Sequence, residues 1–326
     1  MTKILLGYAR DGVPPGALEQ VRKLAPHMEV LVTEDRSEIE HALHDIEIAA
    51  RRFPHDLVMQ APKLRWLQQW GAGADWLLRY PEVRDREFTL TNASGVHAIP
   101  ITEHILAVML SFARQLHHAV RAQLDREWDR PNRGGFSPQQ PIFELHGKTL
   151  LLIGVGAIGQ RTAEVASAIG MRVLGVRRNP GQAVPGVEAM YGPHQLFRVL
   201  PEADFVVLTV PLTPDTRGLI GEPELRAIRP DAYLINIGRG GTIQEDKLAQ
   251  ALREGWIAGA GLDVFESEPL PADSPLWQME NVIITPHYAG LTPHYEQRAL
   301  DIFLDNLARY VAGESLRNIV DKDLVY

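Results

Sequence analysis

Residues 148–159 read KTLLLIGVGAIG and join a short apolar run to a glycine-rich turn. The run 150–153 is typical of a buried strand, and a helical pattern follows the turn as far as about residue 169. A second apolar strand is predicted at 172–176. Together these parts form a βαβ unit, which implies a parallel sheet with a crossover helix.

The three glycines of this turn follow the spacing Gly154-x-Gly156-x-x-Gly159. Gly154 permits the tight turn, Gly156 lets the backbone approach a pyrophosphate, and Gly159 lets the helix lie close to the strand. The N-terminus of the helix attracts the phosphate charge. A glycine-rich turn without a ligand is the alternative, and the strand-turn-helix context disfavours it. The sequence therefore predicts a dinucleotide site here.

Composition narrows the class of protein. The chain has 326 residues, more than one core usually holds, so two domains are expected. Its net charge of −8 argues against a surface that binds duplex nucleic acid. The absence of cysteine excludes disulfides, thiolate nucleophiles and cysteine-ligated zinc, and no metal site is predicted. No apolar run is long enough for a signal sequence or a membrane span, so we expect a cytoplasmic protein without nucleic-acid or membrane partners.

The arrangement of apolar runs predicts an α/β fold with two doubly wound parallel-sheet domains. We expect a Rossmann cofactor domain at 101–287, inserted in a flavodoxin-like substrate domain made of 1–100 and 288–326. Residues 101–121 carry apolar side chains at helical spacing and predict one long helix. Its stripe is broad enough to suggest a homodimer, and burial in the domain's own core is the alternative.

Three polar residues follow predicted strands of the second half. Arg239 lies in the run NIGRG, Glu268 in the run DVFESEP, and His287 after a Thr-Pro pair. Open α/β sheets bind ligands at these strand ends. An arginine can hold a carboxylate and polarise a carbonyl, a histidine can protonate a developing alkoxide, and a buried carboxylate can stabilise the protonated histidine. The set fits hydride transfer to a 2-keto acid, although a lone histidine is more often structural.

Five segments of the chain resemble the D-2-hydroxyacid dehydrogenase family, which includes glyoxylate and hydroxypyruvate reductases and phosphoglycerate dehydrogenase. These segments are 147–159, 206–211, 236–240, 259–271 and 281–290. The resemblance is strong from about residue 92 to 290 and weaker before. It implies reversible reduction of a small 2-keto acid, such as glyoxylate or hydroxypyruvate, to the D-2-hydroxy acid with NAD(P)H. Arg239 would bind the substrate, His287 would be the acid/base, and Glu268 would be its partner.

The resemblance also implies further binding residues. The backbone N–H groups of Ala72 and Gly73 would bind the substrate carboxylate. Arg52 follows a predicted strand and could reach the substrate, with a solvated surface position as the alternative. Asp263 would face the nicotinamide carboxamide, and capping of a neighbouring segment is its alternative. The predicted cofactor contacts are Gly154, Gly156, Ala157, Ile158, Gly159, Arg177, Arg178, Pro211, Thr216, Ile237, Asp263 and Gly290.

The residues after the second strand of the βαβ unit bear on the choice of cofactor. NAD-selective proteins usually place an acidic residue there, on the ribose hydroxyls. This chain has Arg177 and Arg178 instead, and Pro211 and Thr216 would lie near the adenine side. Because guanidinium groups can hold a 2′-phosphate that a carboxylate would repel, the sequence predicts NADP(H) over NAD(H). Acceptance of either cofactor, with both arginines in solvent, is the alternative.

Other functions fit some of the same residues. Transcriptional corepressors that resemble this family keep the arginine, glutamate and histidine, so a dinucleotide-sensing interaction protein is an alternative. This sequence has no long polar tail of the kind expected in such a protein, which favours an enzyme. Formate dehydrogenases have glutamine where Glu268 stands, which disfavours that activity. Phosphite dehydrogenase activity is a further alternative.

Overall fold

The computed structural model describes residues 2–9, 11–131, 135–137 and 140–325. The strands are β1 Lys3–Gly7, β2 Glu29–Val32, β3 Ile46–Arg51, β4 Trp66–Gln68, β5 Thr89–Thr91, β6 Gly135–Ser137, β7 Gln140–Pro141, β8 Thr149–Ile153, β9 Arg172–Val176, β10 Ala189–Tyr191, β11 Phe205–Leu208, β12 Tyr233–Asn236, β13 Gly259–Leu262 and β14 Val282–Ile284. The helices are α1 Ala17–Leu24, α2 Arg36–Ala42, α3 Ala98–Ala113, α4 Leu116–Asp125, α5 Ala157–Ala168, α6 Leu196–Val199, α7 Glu222–Ala227, α8 Glu245–Glu254 and α9 Tyr295–Ala312. No helix in the described ranges has both the length and the apolar character needed to cross a bilayer.

The chain divides into two compact units, Met1–Val96 with Thr292–Tyr326 and His97–Leu291. These junctions fall within a few residues of the predicted ones at 100/101 and 287/288. We call the first the terminal unit and the second the central unit. The terminal unit is made from both ends of the chain. Helix α9, near the C-terminus, therefore packs against the sheet formed by the first five strands.

The terminal unit contains a parallel five-stranded sheet in the order β2-β1-β3-β4-β5. This is the flavodoxin-like order that was predicted. Strands β1 and β3 lie side by side near its middle and are buried on both faces. One face packs on α1 and α9, where the fully buried Trp66 stacks on Phe303. The other face packs on α2 and the short helical turns that follow β3.

The central unit contains a parallel seven-stranded sheet in the order β10-β9-β8-β11-β12-β13-β14. The chain runs outward from β8 to β10 and then starts again on the other side at β11. This is the doubly wound order of a Rossmann domain, so the predicted fold class is confirmed. The strand order reverses between β8 and β11, and ligands of such sheets bind outside the carboxyl ends of the strands at this point.

The prediction of one helix over 101–121 is wrong. Helix α3 ends at Ala113 and α4 begins at Leu116. Between them Gln115 has φ of 55°, a left-handed conformation that cannot continue a right-handed helix. Its side-chain amide donates a hydrogen bond to the carbonyl oxygen of Pro141, 3.0 Å away, which holds the break in place. The apolar face of α3 is buried in the core of the central unit, whereas α4 has no buried residue.

Candidate active site

The glycine turn after β8 is shaped by close backbone contacts. Gly154 has φ of 100°, and the hydroxyl of Thr209 donates to its carbonyl oxygen at 2.7 Å. A Cβ on Gly159 would overlap the same carbonyl oxygen. Gly156 differs, because a Cβ there would meet no atom within 4 Å. Two of the glycines are therefore required by packing within the chain, and the third faces open space.

This open space lies at the beginning of α5. The first N–H groups of a helix have no acceptor within it, and no described residue accepts a hydrogen bond from Ala157 or Ile158. The aligned peptide dipoles of a twelve-residue helix add a partial positive charge at this end. Free N–H groups, positive potential and room beside Gly156 fit the pyrophosphate of a dinucleotide.

The two arginines that follow β9 lie, like the glycine turn, at the carboxyl ends of the strands. Arg177 is half-buried and its Nη2 donates to the carbonyl oxygen of Gln182 at 2.8 Å. Arg178 is exposed, and its Nη2 lies 4.0 Å from a carboxylate oxygen of Asp215. Asp215 belongs to the loop after β11. The structure therefore places Arg178 beside the segment that was predicted to lie near the adenine.

The other predicted cofactor residues lie in loops at strand ends. The hydroxyl of Thr216 donates a hydrogen bond to the carbonyl oxygen of Pro211 at 2.6 Å, which closes the loop after β11. Ile237 follows β12 and is buried. Gly290 packs against His97, whose Nδ1 lies 3.1 Å from the glycine's carbonyl oxygen. A Cβ on Gly290 would lie 2.9 Å from that Nδ1, so the contact requires glycine.

His287 and Glu268 form a hydrogen-bonded pair, with Nδ1 and Oε2 2.7 Å apart. The second carboxylate oxygen accepts the N–H of Phe265 at 3.0 Å. Because an ionised carboxylate only accepts, we assign a proton to Nδ1, which leaves Nε2 for exchange with a substrate. The side chains are 49% and 36% exposed, so the expectation of a buried carboxylate is wrong.

Asp263 holds the turn that carries His287. Its buried carboxylate accepts the hydroxyl of Thr285 at 2.6 Å and the N–H groups of Tyr288 and Ala289, both at 3.0 Å. The N–H of His287 donates to the backbone oxygen of Asp263 at 2.8 Å, and His287 has φ of 52°. The carboxylate therefore caps a neighbouring segment, which was the alternative for this residue. Its contact with the nicotinamide stays a prediction.

Arg239 lies in the loop after β12, which packs against the loop that carries Glu268. The buried amide of Asn236 organises this loop: its Nδ2 donates to the carbonyl oxygen of Arg239 at 3.1 Å, and its Oδ1 accepts the N–H of Gly238 at 3.1 Å. A Cβ on Gly240 would overlap the carbonyl group of Phe265. The backbone of the half-buried Arg239 is thus fixed, and its Nη1 donates to the carbonyl oxygen of Gly238 at 2.9 Å.

The predicted substrate residues of the terminal unit lie after β3 and β4. Ala72 and Gly73 are half-buried in the loop after β4. Arg52 is exposed, and its Nη1 forms an ion pair with Glu34 at 2.9 Å. The side chain therefore adopts the solvated position that was its alternative, and a substrate contact of Arg52 stays a prediction.

Residues 106–289 match the family described as D-isomer specific 2-hydroxyacid dehydrogenase, NAD binding domain. The chain belongs to this family. Since the matched segment contains the glycine turn and the loops of Arg239, Glu268 and His287, the dehydrogenase is an oxidoreductase with a site for a nicotinamide dinucleotide. The family resemblance inferred from the sequence is confirmed.

Relatives of the dehydrogenase agree over most of its length. It is 37% identical over 269 residues to a glyoxylate reductase of Korarchaeum cryptofilum, covering 81% of this chain and 78% of the relative. A crystal structure of an NADPH-dependent glyoxylate/hydroxypyruvate reductase from Sinorhizobium meliloti, in complex with NADP and sulfate, superposes with a TM-score of 0.82 at 28% identity over the whole of both chains. A D-isomer specific 2-hydroxyacid dehydrogenase from Xanthobacter autotrophicus, in complex with NADPH and MES, gives 0.82 at 29% over the same coverage.

Two histidines that sequence reasoning missed lie beside the loops of Arg239 and His287. Burial lowers the pKa of His97, and the charge of Arg239 lowers it further. Burial also lowers the pKa of His104, whose Nε2 is 3.2 Å from the hydroxyl of Thr285. His97 directly precedes α3 and His104 lies two turns along it, so the spacing of seven residues puts both on one side of the helix; this is the only sequence signal that they carry. In both imidazoles, burial therefore favours the neutral form.

Proposed function

We propose that this dehydrogenase reversibly reduces a small 2-keto acid, of the size of glyoxylate or hydroxypyruvate, to the D-2-hydroxy acid. The observation that carries the proposal is the hydrogen bond of 2.7 Å between His287 and Glu268. This bond leaves Nε2 of the imidazole available at the carboxyl ends of the strands, where the glycine turn and Arg239 also lie. The names of relatives such as the Korarchaeum glyoxylate reductase support this substrate class.

Each of the three side chains has a separate role in the proposed reaction. The bound nicotinamide dinucleotide supplies the hydride. The guanidinium fork of Arg239 binds a carboxylate oxygen and polarises the keto group. His287 donates the proton from Nε2 to the alkoxide oxygen, and Glu268 stabilises the imidazolium before that transfer. In the reverse direction His287 takes the proton from the hydroxyl group.

A panel of 2-keto acids tested with NADPH and NADH examines this proposal. We expect reduction of glyoxylate or hydroxypyruvate, and no turnover of branched or aromatic keto acids above a small fraction of that rate. Phosphite with NADP⁺ serves as the second arm and tests the phosphite dehydrogenase alternative. Dinucleotide binding without turnover of any compound in either arm would contradict the proposal and favour a sensing protein.

We also propose that the enzyme prefers NADPH. No acidic residue follows β9, where Arg177 and Arg178 stand instead, and the related Sinorhizobium enzyme is named as NADPH-dependent. The 2′-phosphate of NADPH carries more charge than a carboxylate, so it would replace Asp215 as the partner of Arg178. Replacing both arginines by alanine should raise the KM for NADPH by about tenfold or more and change that for NADH little. An equal effect on both cofactors, or a wild-type preference for NADH, would contradict this.

A homodimer is proposed on the exposed face of α4. Leu116, Val120 and Leu124 are 49%, 57% and 79% exposed and recur every four residues, so they form one apolar stripe. Such a stripe marks an interaction site on a helix with no buried residue. Light scattering at micromolar concentration should give twice the chain mass, and Val120→Glu with Leu124→Glu should give the monomer. A monomeric wild-type protein would contradict the proposal.

The cytoplasmic location and the lack of nucleic-acid and membrane partners stay predictions.

A further inference from the structure

Three consecutive backbone carbonyl groups in the loop after β4 accept hydrogen bonds from two buried side-chain amides. Nε2 of Gln69 donates to Gly71 at 3.1 Å and to Gly73 at 2.6 Å. Nδ2 of Asn92 donates to Ala72 at 2.8 Å. Gln69 directly follows β4 and Asn92 directly follows β5, the neighbouring strand. The loop is thus fixed from the interior of the terminal unit.

The orientation of both amides follows from their other partners. Nε1 of Trp76 lies 2.9 Å from Oε1 of Gln69, and an indole N–H can only donate. The backbone N–H of Ser94 lies 3.0 Å from Oδ1 of Asn92 and likewise can only donate. The oxygen of each amide must therefore face these groups, and its NH₂ must face the carbonyls of the loop. If either amide flipped, its NH₂ group would face another N–H donor, and its oxygen would face the carbonyl oxygens of the loop.

Holding the carbonyls inward directs the N–H groups outward. In a trans peptide the C=O of one residue and the N–H of the next point in opposite directions. The N–H groups of Ala72, Gly73 and Ala74 therefore face away from the two amides. Within the described ranges, none of these three groups donates a hydrogen bond. Successive outward N–H groups form a concave site for an anion.

We propose that Gln69 is a positioning residue that orients the N–H groups of Ala72 and Gly73 for the carboxylate of the 2-keto acid. The inference rests on the proposed function, which supplies the carboxylate. Gln69 does this through two donors on one nitrogen, and Trp76 keeps that nitrogen facing the loop. A loop fixed before the substrate arrives loses little conformational entropy on binding, which lowers the KM.

Trp76 is itself held by aromatic packing. Its buried indole stacks face to face on the imidazole of His55, with ring centroids 3.9 Å apart and an interplanar angle of 7°. The stack fixes the plane of the indole and hence the direction of its N–H bond. Gln69 is therefore oriented by a rigid donor rather than by an exposed side chain.

The chain offers a matched control one residue away. Gln68 is also a buried amide that makes long-range hydrogen bonds, accepting from Thr91 at 2.7 Å and from Asn306 at 3.1 Å. Its Nε2 donates to the carbonyl oxygen of Gln69 at 3.0 Å, whereas the carbonyls of 71–73 accept from Gln69 and Asn92. A substitution of Gln68 removes the same chemical group from the interior of the same unit. It should destabilise the protein without altering the geometry of the loop.

The test compares Gln69→Leu, Gln69→Glu and Gln68→Leu with glyoxylate as substrate and oxamate as a carboxylate-bearing inhibitor. Both Gln69 variants should raise the KM of glyoxylate and the inhibition constant of oxamate about tenfold, because each removes two donated hydrogen bonds. The KM of NADPH should stay within about twofold. Gln68→Leu should lower the melting temperature and leave both constants unchanged.

A further variant keeps the inference testable if the Gln69 variants fold poorly. Trp76→Phe retains an aromatic ring for the stack but removes the N–H that orients the amide, so the same two constants should rise about threefold. Wild-type constants in all folded variants of Gln69 and Trp76, or an equal rise in Gln68→Leu, would overturn the inference. A wild-type enzyme that reduces no 2-keto acid would instead overturn the proposed function.

Discussion

Replacing Asp263 by asparagine tests whether this residue acts by anchoring the turn of His287. The carboxylate is buried and accepts three hydrogen bonds, two at Oδ1 from Thr285 and Tyr288 and one at Oδ2 from Ala289. Asparagine has nearly the same shape but only one accepting oxygen. If that oxygen keeps the first two bonds, the new NH₂ group faces the N–H of Ala289 and leaves it without a partner.

The size of the effect follows from the bonds that change. An unsatisfied buried N–H costs about 1–3 kcal/mol, and the two retained bonds lose roughly 1 kcal/mol in sum when the acceptor is no longer charged. The free energy of unfolding of the central unit should therefore fall by about 2–4 kcal/mol. For a unit of this size that corresponds to a melting temperature lower by roughly 5–15 °C. Because the loosened turn carries His287, turnover should fall at least about tenfold.

The assay is thermal melting without cofactor, combined with glyoxylate turnover. Asp273→Asn, an exposed change of the same kind, is the matched control and should behave as wild type. If Asp263→Asn melts with the control and keeps its turnover, the anchoring argument is refuted. If melting is unchanged and only the KM of the cofactor rises, Asp263 acts through the nicotinamide instead.

Three further predictions concern the proposed catalytic groups and the pH dependence of stability. His287→Ala should lower turnover at least about 10²-fold with the cofactor still bound, and near-normal turnover would remove its role as the acid. Arg239→Lys should raise the KM and lower kcat together, because an ammonium cannot reproduce the two-pronged contact, and unchanged kinetics would contradict that role. Stability should fall as the pH drops below 6.5, because burial lowers the pKa of several histidines and the unfolded chain then binds more protons. The melting temperature at about pH 5.5 should be lower than that at about pH 7.5, and equal melting temperatures would contradict this prediction. These histidines are His55, His97, His104 and His117.

Much of the fold could be predicted because its signals are local. The apolar runs of both sheets and the glycine turn after β8 depend on neighbours within a few residues. Strand β10 was missed, since Ala189–Tyr191 is a half-buried edge strand of only three residues, too short to give a pattern in the sequence. The break between α3 and α4 was missed for another reason. Gln115 adopts its left-handed conformation with a partner at Pro141, and nothing in the helical pattern records that contact.

The same distinction applies to the candidate site. Arg239, Glu268 and His287 stand in motifs of the chain, so they could be predicted as one site from order and residue type, and the structure brings Glu268 and His287 to 2.7 Å. The environment of the pair could not be predicted, and it is more exposed than expected. Gln69 and Asn92 carry no motif, because their importance arises from carbonyls that only the fold brings to them.

A common device supports the predicted functional groups of both units. Asn236 fixes the loop of Arg239, Asp263 fixes the turn of His287, and Gln69 fixes the loop of Ala72. In each case a buried side chain bonds to the backbone of its loop, while the group that would meet the substrate stays at least partly accessible. Because the buried partner is ordered when each unit folds, the functional groups need little rearrangement when a substrate binds. Substitutions of these three anchors should therefore change KM or kcat more than an equally destabilising change elsewhere in the same core.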